Sequence, residues 1–259
     1  MNRSAQIQHD RIRWVATRSI MLGLWLAIAP STLAHSATVE VAPRSSMPSM
    51  LVAQTYNPPP PSGQGTSSTP GGVRGTCNGV SSASLLAIAP QSHTGQTSST
   101  RPTVAWYVPD EAPYDIVFQL FQRDADTPLY DVTMTSHKGW MTWTPPANSP
   151  GLTVGETYRW RVILICDRNR PSLSMRDGAA FKVVVSPSIT AAASDPVAYA
   201  RQLAAAGVWY DALATILNAP PTAQLRSLRI ELLNELAQLE SATDTRRADN
   251  LRSLATLEP

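Results

Sequence analysis

Residues 157–166, Thr-Tyr-Arg-Trp-Arg-Val-Ile-Leu-Ile-Cys, constrain the fold more than any other stretch of this chain. Tyr158, Trp160, Val162, Leu164 and Cys166 recur at a period of two, with Arg159 and Arg161 on the opposite face. That alternation marks a β-strand with one side turned to a core. Toward its end Ile163 and Ile165 make the second face apolar as well, as a central strand requires. Segments 85–89, 103–108, 115–122, 129–135, 140–144 and 179–185 repeat the theme. Each is short, rich in β-branched and aromatic residues, and bounded by Gly, Pro, Asp or Asn. Seven such strands predict one antiparallel sandwich of about 100 residues, here spanning 81–188.

Just upstream of that strand, Leu152, Gly155, Tyr158 and Trp160 have the spacing of a tyrosine corner. In that device a Tyr at the start of a strand returns its hydroxyl to backbone a few residues earlier. The stretch, together with Trp106 on an early strand, resembles the immunoglobulin-like fibronectin type III domains. What the resemblance implies is a binding or spacer module, not a particular chemistry.

After Pro187 the period becomes helical. Asp195-Pro196 reads as an N-cap followed by proline in the first turn. Helices are predicted to run to Ala206, then from Val208 to Asn218 past Gly207, then over 222–241. The last carries Leu225, Leu228, Leu232, Leu236 and Leu239 at helical spacing. Residues 206–217 with Pro220 resemble the middle of a tetratricopeptide repeat. One such hairpin cannot bury its own face. The helical appendage, 194–241, therefore either packs on the sandwich or offers a groove to a partner. Trp209 and Tyr210 are the candidate partner contacts, since large amphipathic aromatics dominate binding hot spots; packing inside the hairpin is the alternative. Residues 242–259 are polar with periodic leucines and predict a flexible or weakly helical tail.

The N-terminal residues bear on compartment. Arg3, Arg11, Arg13 and Arg18 precede or enter an apolar run from Ile20 to Ala29, followed by Ala34-His35-Ser36. This is the layout of a cleaved export signal over residues 1–36. The run falls short of the roughly 20 apolar residues that span a bilayer, so the expected product is soluble; an uncleaved anchor is the alternative. Removing these arginines and Asp10 takes the net charge from +2 to −1. No electrostatic footprint for nucleic acid remains. Residues 37–80 are rich in Pro, Gly, Ser and Thr, with a proline run at 58–61. Too little apolar surface is available there to offset chain entropy, so a disordered tether is expected, with a Pro-rich ligand segment as the alternative. Export to the periplasm or the cell exterior makes Cys77 and Cys166 read as a disulfide, with two unpaired thiols as the alternative.

No catalytic constellation emerges. His93 and His137 lie in loops without the spacing of metal ligands, so neither a metal nor a cofactor is expected. Neither a G-x-S-x-G elbow nor a P-loop is present. Asp124 and Asp126 read as a solvated hairpin turn. Arg159, Arg161, Arg168 and Arg170 form a candidate patch for acidic glycans or lipid headgroups. The alternative is a soluble sheet face balanced by Asp167 and Asp177.

A whole-domain pattern completes the reading. Arg74-Gly75-Thr-Cys77, Ser84-Leu-Leu-Ala-Ile-Ala-Pro90 and Arg101-Pro102-Thr-Val-Ala-Trp106-Tyr107-Val-Pro109 come first. Pro113-Tyr114, Phe118-Gln-Leu120, Leu129-Tyr130, the tyrosine-corner segment, Cys166 and Ala206-Gly207-Val-Trp209-Tyr210-Asp211-Ala212-Leu213 follow in order. Together they resemble a largely cyanobacterial exported family, domain of unknown function 928, from about Gly75 to Leu217. The resemblance implies an exported, envelope-associated protein and brings no catalytic residue. The expectation is a non-enzymatic module that binds a protein or cell-envelope component. Its competitors are a small periplasmic enzyme acting on glycan or peptide, and a structural spacer without a specific ligand.

Overall fold

Eight strands and four α-helices build the part of the chain that the computed structural model describes, residues 54–60, 76–77 and 84–257. The expected export signal and most of the expected tether lie outside the described residues. The strands are β1 (Leu86–Ala87), β2 (Gly95–Thr97), β3 (Val104–Val108), β4 (Asp115–Gln122), β5 (Tyr130–Thr135), β6 (Gly139–Trp143), β7 (Thr157–Ile165) and β8 (Met175–Val183). The helices are α1 (Pro196–Ala205), α2 (Trp209–Asn218), α3 (Ala223–Glu240) and α4 (Thr245–Leu257).

The strands form a five-stranded sheet of order β2-β8-β7-β4-β5 and a three-stranded sheet of order β1-β3-β6. The expected seven antiparallel strands become eight in a mixed arrangement. The extra one, β2, runs parallel to β8 with Gln96 opposite Lys182. Its three residues are too short and too polar to carry a readable period of two. β7 sits between β4 and β8, which accounts for its second apolar face. The tyrosine corner forms as expected: the Thr153 amide donates to the Tyr158 hydroxyl at 3.0 Å. Next to it Gly178 is obligatory, since a Cβ there would lie 2.1 Å from the Trp160 carbonyl oxygen.

The two sheets meet through aromatic rings. Trp106 of β3 lies 6.0 Å from Phe118 and 6.4 Å from Trp160, and Trp143 of β6 stacks on Phe118 at 4.3 Å. The smaller sheet covers only part of the larger one. Over β2 its place is taken by α2, and β8 is met by both β1 and α2. Tyr210 meets Phe181 edge-on at 5.1 Å and accepts a hydrogen bond from Trp160 Nε1 at 3.1 Å. Asp211 accepts from the Thr97 hydroxyl at 2.9 Å. The layer facing the large sheet is therefore half sheet and half helix, and the helical segment completes the core instead of hanging from it.

The helix ends follow their local signals. Asp195 caps α1 by accepting from the Ala198 amide, and Thr222 caps α3 by accepting from the Leu225 amide. Gly207, at φ +81°, makes the turn between α1 and α2. Two segments are more closely packed than their composition suggests. The tail is a docked helix, α4, packed on α3 with Ala248, Leu251, Leu254 and Ala255 buried. Its buried stripe begins at a charged residue, Arg247, so the sequence there reads as polar. The tether is not wholly free of the core either, because Thr55 and Tyr56 are buried. No helix among the described residues is long and apolar enough to cross a membrane.

Candidate functional site

Residues 54–57 lie across α1, α2 and α3 outside any strand or helix, with a bend at Thr55. The amides of Thr55 and Tyr56 donate to the two oxygens of the Glu235 carboxylate, each at 2.7 Å. The Asn57 amide donates to the Ala204 carbonyl in the last turn of α1 at 3.1 Å. One turn from Glu235, Glu231 pairs with Arg201 at 2.7 Å, and the Thr55 hydroxyl bonds to both partners. Hydrogen bonding from Arg201 holds the Glu231 carboxyl below the usual carboxylate range.

Tyr56 is the anchor of this segment and is fully buried. Its ring meets Trp209 edge-on at 5.0 Å, and its hydroxyl lies 2.8 Å from His93 Nε2. His93 Nδ1 lies 3.1 Å from Ser92 Oγ, which donates to Glu240 at 3.1 Å. Burial raises the Tyr56 hydroxyl well above its ordinary value and lowers the His93 imidazole. A neutral imidazole protonated on Nδ1 satisfies the whole chain: Tyr56 donates to Nε2, and Nδ1 donates to Ser92. His93 belongs to this buried relay, not to an open loop.

The relay ends at a buried ion cluster. Arg247 lies 3.1 Å from Asp177 and 3.6 Å from Glu240, and its guanidinium donates to the carbonyls of Ala87 and Ala89 at 2.7 and 2.6 Å. Glu240 accepts from the amides of Gln91 and Ser92, and Asp177 from the amide of Ala87. Each charge has partners, which is the condition for burying it. The cluster ties α3 and α4 to β1 and β8. Asp177 thus faces inward and is not a counter-charge on the sheet surface. Glu240 and Arg247 were missed from sequence. A signal existed, since Glu240 follows Leu236 by four residues and Arg247 precedes Leu251 by four, both on buried stripes.

The residues singled out from sequence divide sharply. Cys77 and Cys166 form a disulfide, with Cα atoms 5.0 Å apart. Trp209 and Tyr210 are not surface contacts: each is 1% exposed, and Trp209 Nε1 donates to the Ile88 carbonyl at 3.1 Å. They join the helices to the sheets. Of the four arginines, Arg168 pairs with Asp115 and Arg170 with Asp167. These two do not form a free anion patch. Arg159 and Arg161 lie over the Phe121 ring, with guanidinium carbons 4.1 and 5.0 Å from its centroid. Phe121 is outward-pointing yet only 2% exposed. Exposed Arg176 of β8 stands on the same face, opposite Ile163 of β7. Partial burial, and then the charges of Arg159 and Arg176, lower the Arg161 guanidinium's affinity for its proton. The basic face is thus Arg159, Arg161 and Arg176.

A polar cleft of about 470 Å³ opens beside the turn after β4, lined by Arg123, Asp124, Glu156 and Lys182 among others. The Asp124 side chain at this cleft is 94% exposed. Among the described residues, no group of three or more His, Cys, Asp or Glu side chains converges as metal ligands would.

None of the curated proteins matches this chain. A solved structure of Astrotactin-2, described as a conserved vertebrate-specific and perforin-like membrane protein involved in neuronal development, is similar at 14% identity and a TM-score of 0.25. That match covers 71% of this chain, which spans only 38% of the other. The model of the family described as Domain of Unknown Function (DUF928) matches residues 69–246, most of the ordered body, and the chain belongs to that family.

Proposed function

We propose that this is an exported, non-enzymatic binding module whose outer sheet face engages an acidic polysaccharide of the cell envelope. The observation that carries the reading is the Arg159–Arg161–Arg176 face. Arg159 is held in place by the Arg123 and Ala125 carbonyls and Arg161 by Gln119, and the N–H groups of each guanidinium beyond those bonds, laid over the ring, are donors for carboxylate or sulfate groups. Among the described residues, the Asp131 carboxylate acts back on Arg161 against the charges of Arg159 and Arg176, so the face keeps a positive surplus. Export is supported by the layout of residues 1–36 and by a Cys77–Cys166 bridge that an oxidising compartment would preserve.

The test is retention of the exported protein on immobilised polygalacturonate against neutral dextran, with vesicles of anionic lipid as a separate arm. Retention on the acidic polymer alone, weakening as ionic strength rises, is expected. The double variant Arg161→Gln/Arg176→Gln should lose it with an unchanged melting temperature. Retention that the variant leaves intact would sink the reading, as would binding to the vesicles alone.

A further inference from the structure

Residues 54–57 are held in the manner of a peptide ligand. They join no strand or helix, and three consecutive amides are taken up by Glu235 and Ala204. Main-chain pairing of this kind supplies affinity, while a side-chain pocket supplies specificity. The pocket here takes Tyr56 between Trp209 and His93. Every groove residue named lies inside the family match, 69–246, whereas the occupant lies upstream of it. The groove thus lies within the family match and its occupant outside it. A proline run follows the occupant directly, and such a run is extended and cannot coil back into a helix.

We propose that the groove across α1, α2 and α3 is a recognition site for a Thr-Tyr-Asn peptide, with residues 55–57 as its resident, exchangeable ligand held in cis. The geometry defines the ligand. A hydroxyl residue precedes the tyrosine, because the Arg201–Glu231 pair receives that hydroxyl. The aromatic residue is tyrosine and not phenylalanine, because His93 receives the phenol. The residue after it is not proline, because its N–H reaches Ala204. Tethering raises the local concentration of the resident segment to the millimolar range, so a free peptide competes poorly against an intact chain.

The experiment titrates a labelled peptide, Gln-Thr-Tyr-Asn-Pro-Pro-Pro, into the full exported chain and into its Tyr56→Ala variant. Binding to Tyr56→Ala should be saturable and at least tenfold tighter than to the wild type, and lost in Tyr56→Ala/Glu235→Gln. The peptide with Phe for Tyr should bind more weakly, and one with Pro after Tyr not at all. Tyr56→Ala also removes core volume, so a second chain keeps Tyr56 and carries a specific protease site in place of residues 63–68. After cleavage its N-terminal fragment should stay bound by native mass and exchange for excess peptide. The proposal is overturned by equal binding to both chains, by no binding to a folded Tyr56→Ala chain, or by a cleaved chain that unfolds or never exchanges its fragment.

Discussion

The Tyr56 hydroxyl lies 2.8 Å from Nε2 of His93, joining the segment ahead of the family domain to the loop between β1 and β2. The bond closes a polar path from the helical groove through Ser92 to the Glu240–Arg247 pair. Helices, sheets and the N-terminal segment share one buried network, so disturbing any member is felt by the others.

That network should make stability fall in mild acid. The folded state holds the His93 imidazole below its usual value near 6.5 through burial. An unfolded chain accepts a proton there that the folded chain refuses. Stability is therefore level above about pH 6.5 and declines as pH drops below it. Urea denaturation from pH 8 to pH 5 reads the slope, and His93→Gln should flatten it. An unchanged slope in the variant would place the effect elsewhere.

Removing one member of the buried ion cluster should cost about 3–5 kcal/mol, because the remaining charge keeps no counter-ion. Arg247→Met leaves Asp177 and Glu240 with their amide donors but no counter-ion, and the Ala87 and Ala89 carbonyls without the guanidinium N–H groups. The double variant Arg247→Met/Glu240→Leu should recover part of that loss. Chemical denaturation of both chains measures the difference.

Trp209→Ala should cost about 3–5 kcal/mol, the range for emptying a large aromatic site in a core. The ring is 1% exposed and meets Tyr56, and its Nε1 serves the Ile88 carbonyl. A lowered melting temperature is the readout. Native stability in this variant would restore a surface role for the indole.

Reducing the Cys77–Cys166 bridge should lower stability by on the order of 4 kcal/mol, because it closes a loop of 89 residues in the unfolded chain. Cys77→Ser/Cys166→Ser, compared with the oxidised protein in urea, measures this. Intact mass should register two alkylatable thiols only after reduction.

Much of this architecture is legible in local pattern. Alternation over residues 115–122 and 157–166 locates β4 and β7, since the faces of a strand differ every second residue. Asp195-Pro196 and Gly207 mark the first helical hairpin through backbone chemistry that acts within a turn. The tyrosine corner is equally local, with donor and acceptor five residues apart. What these patterns report is which side chains avoid water. They are silent on what covers them. Trp209 and Tyr210 read alike as core and as contact residues until α2 is set against β2 and β8. Arg168 reads as part of an anion patch until Asp115, more than fifty positions earlier, is brought beside it. Glu240 and Arg247 sit at apolar positions of their helices, and only the neighbouring strands and loop supply the partners that make burying them possible. The groove is the furthest from local reading, because Thr55 and Glu235 meet across 180 residues. Periodicity and capping act over a few residues, and so the sequence alone determined most of the elements, though not β2 or the docking of α4. Desolvation and charge pairing depend on all that surrounds a group, and so only the tertiary structure decided the site.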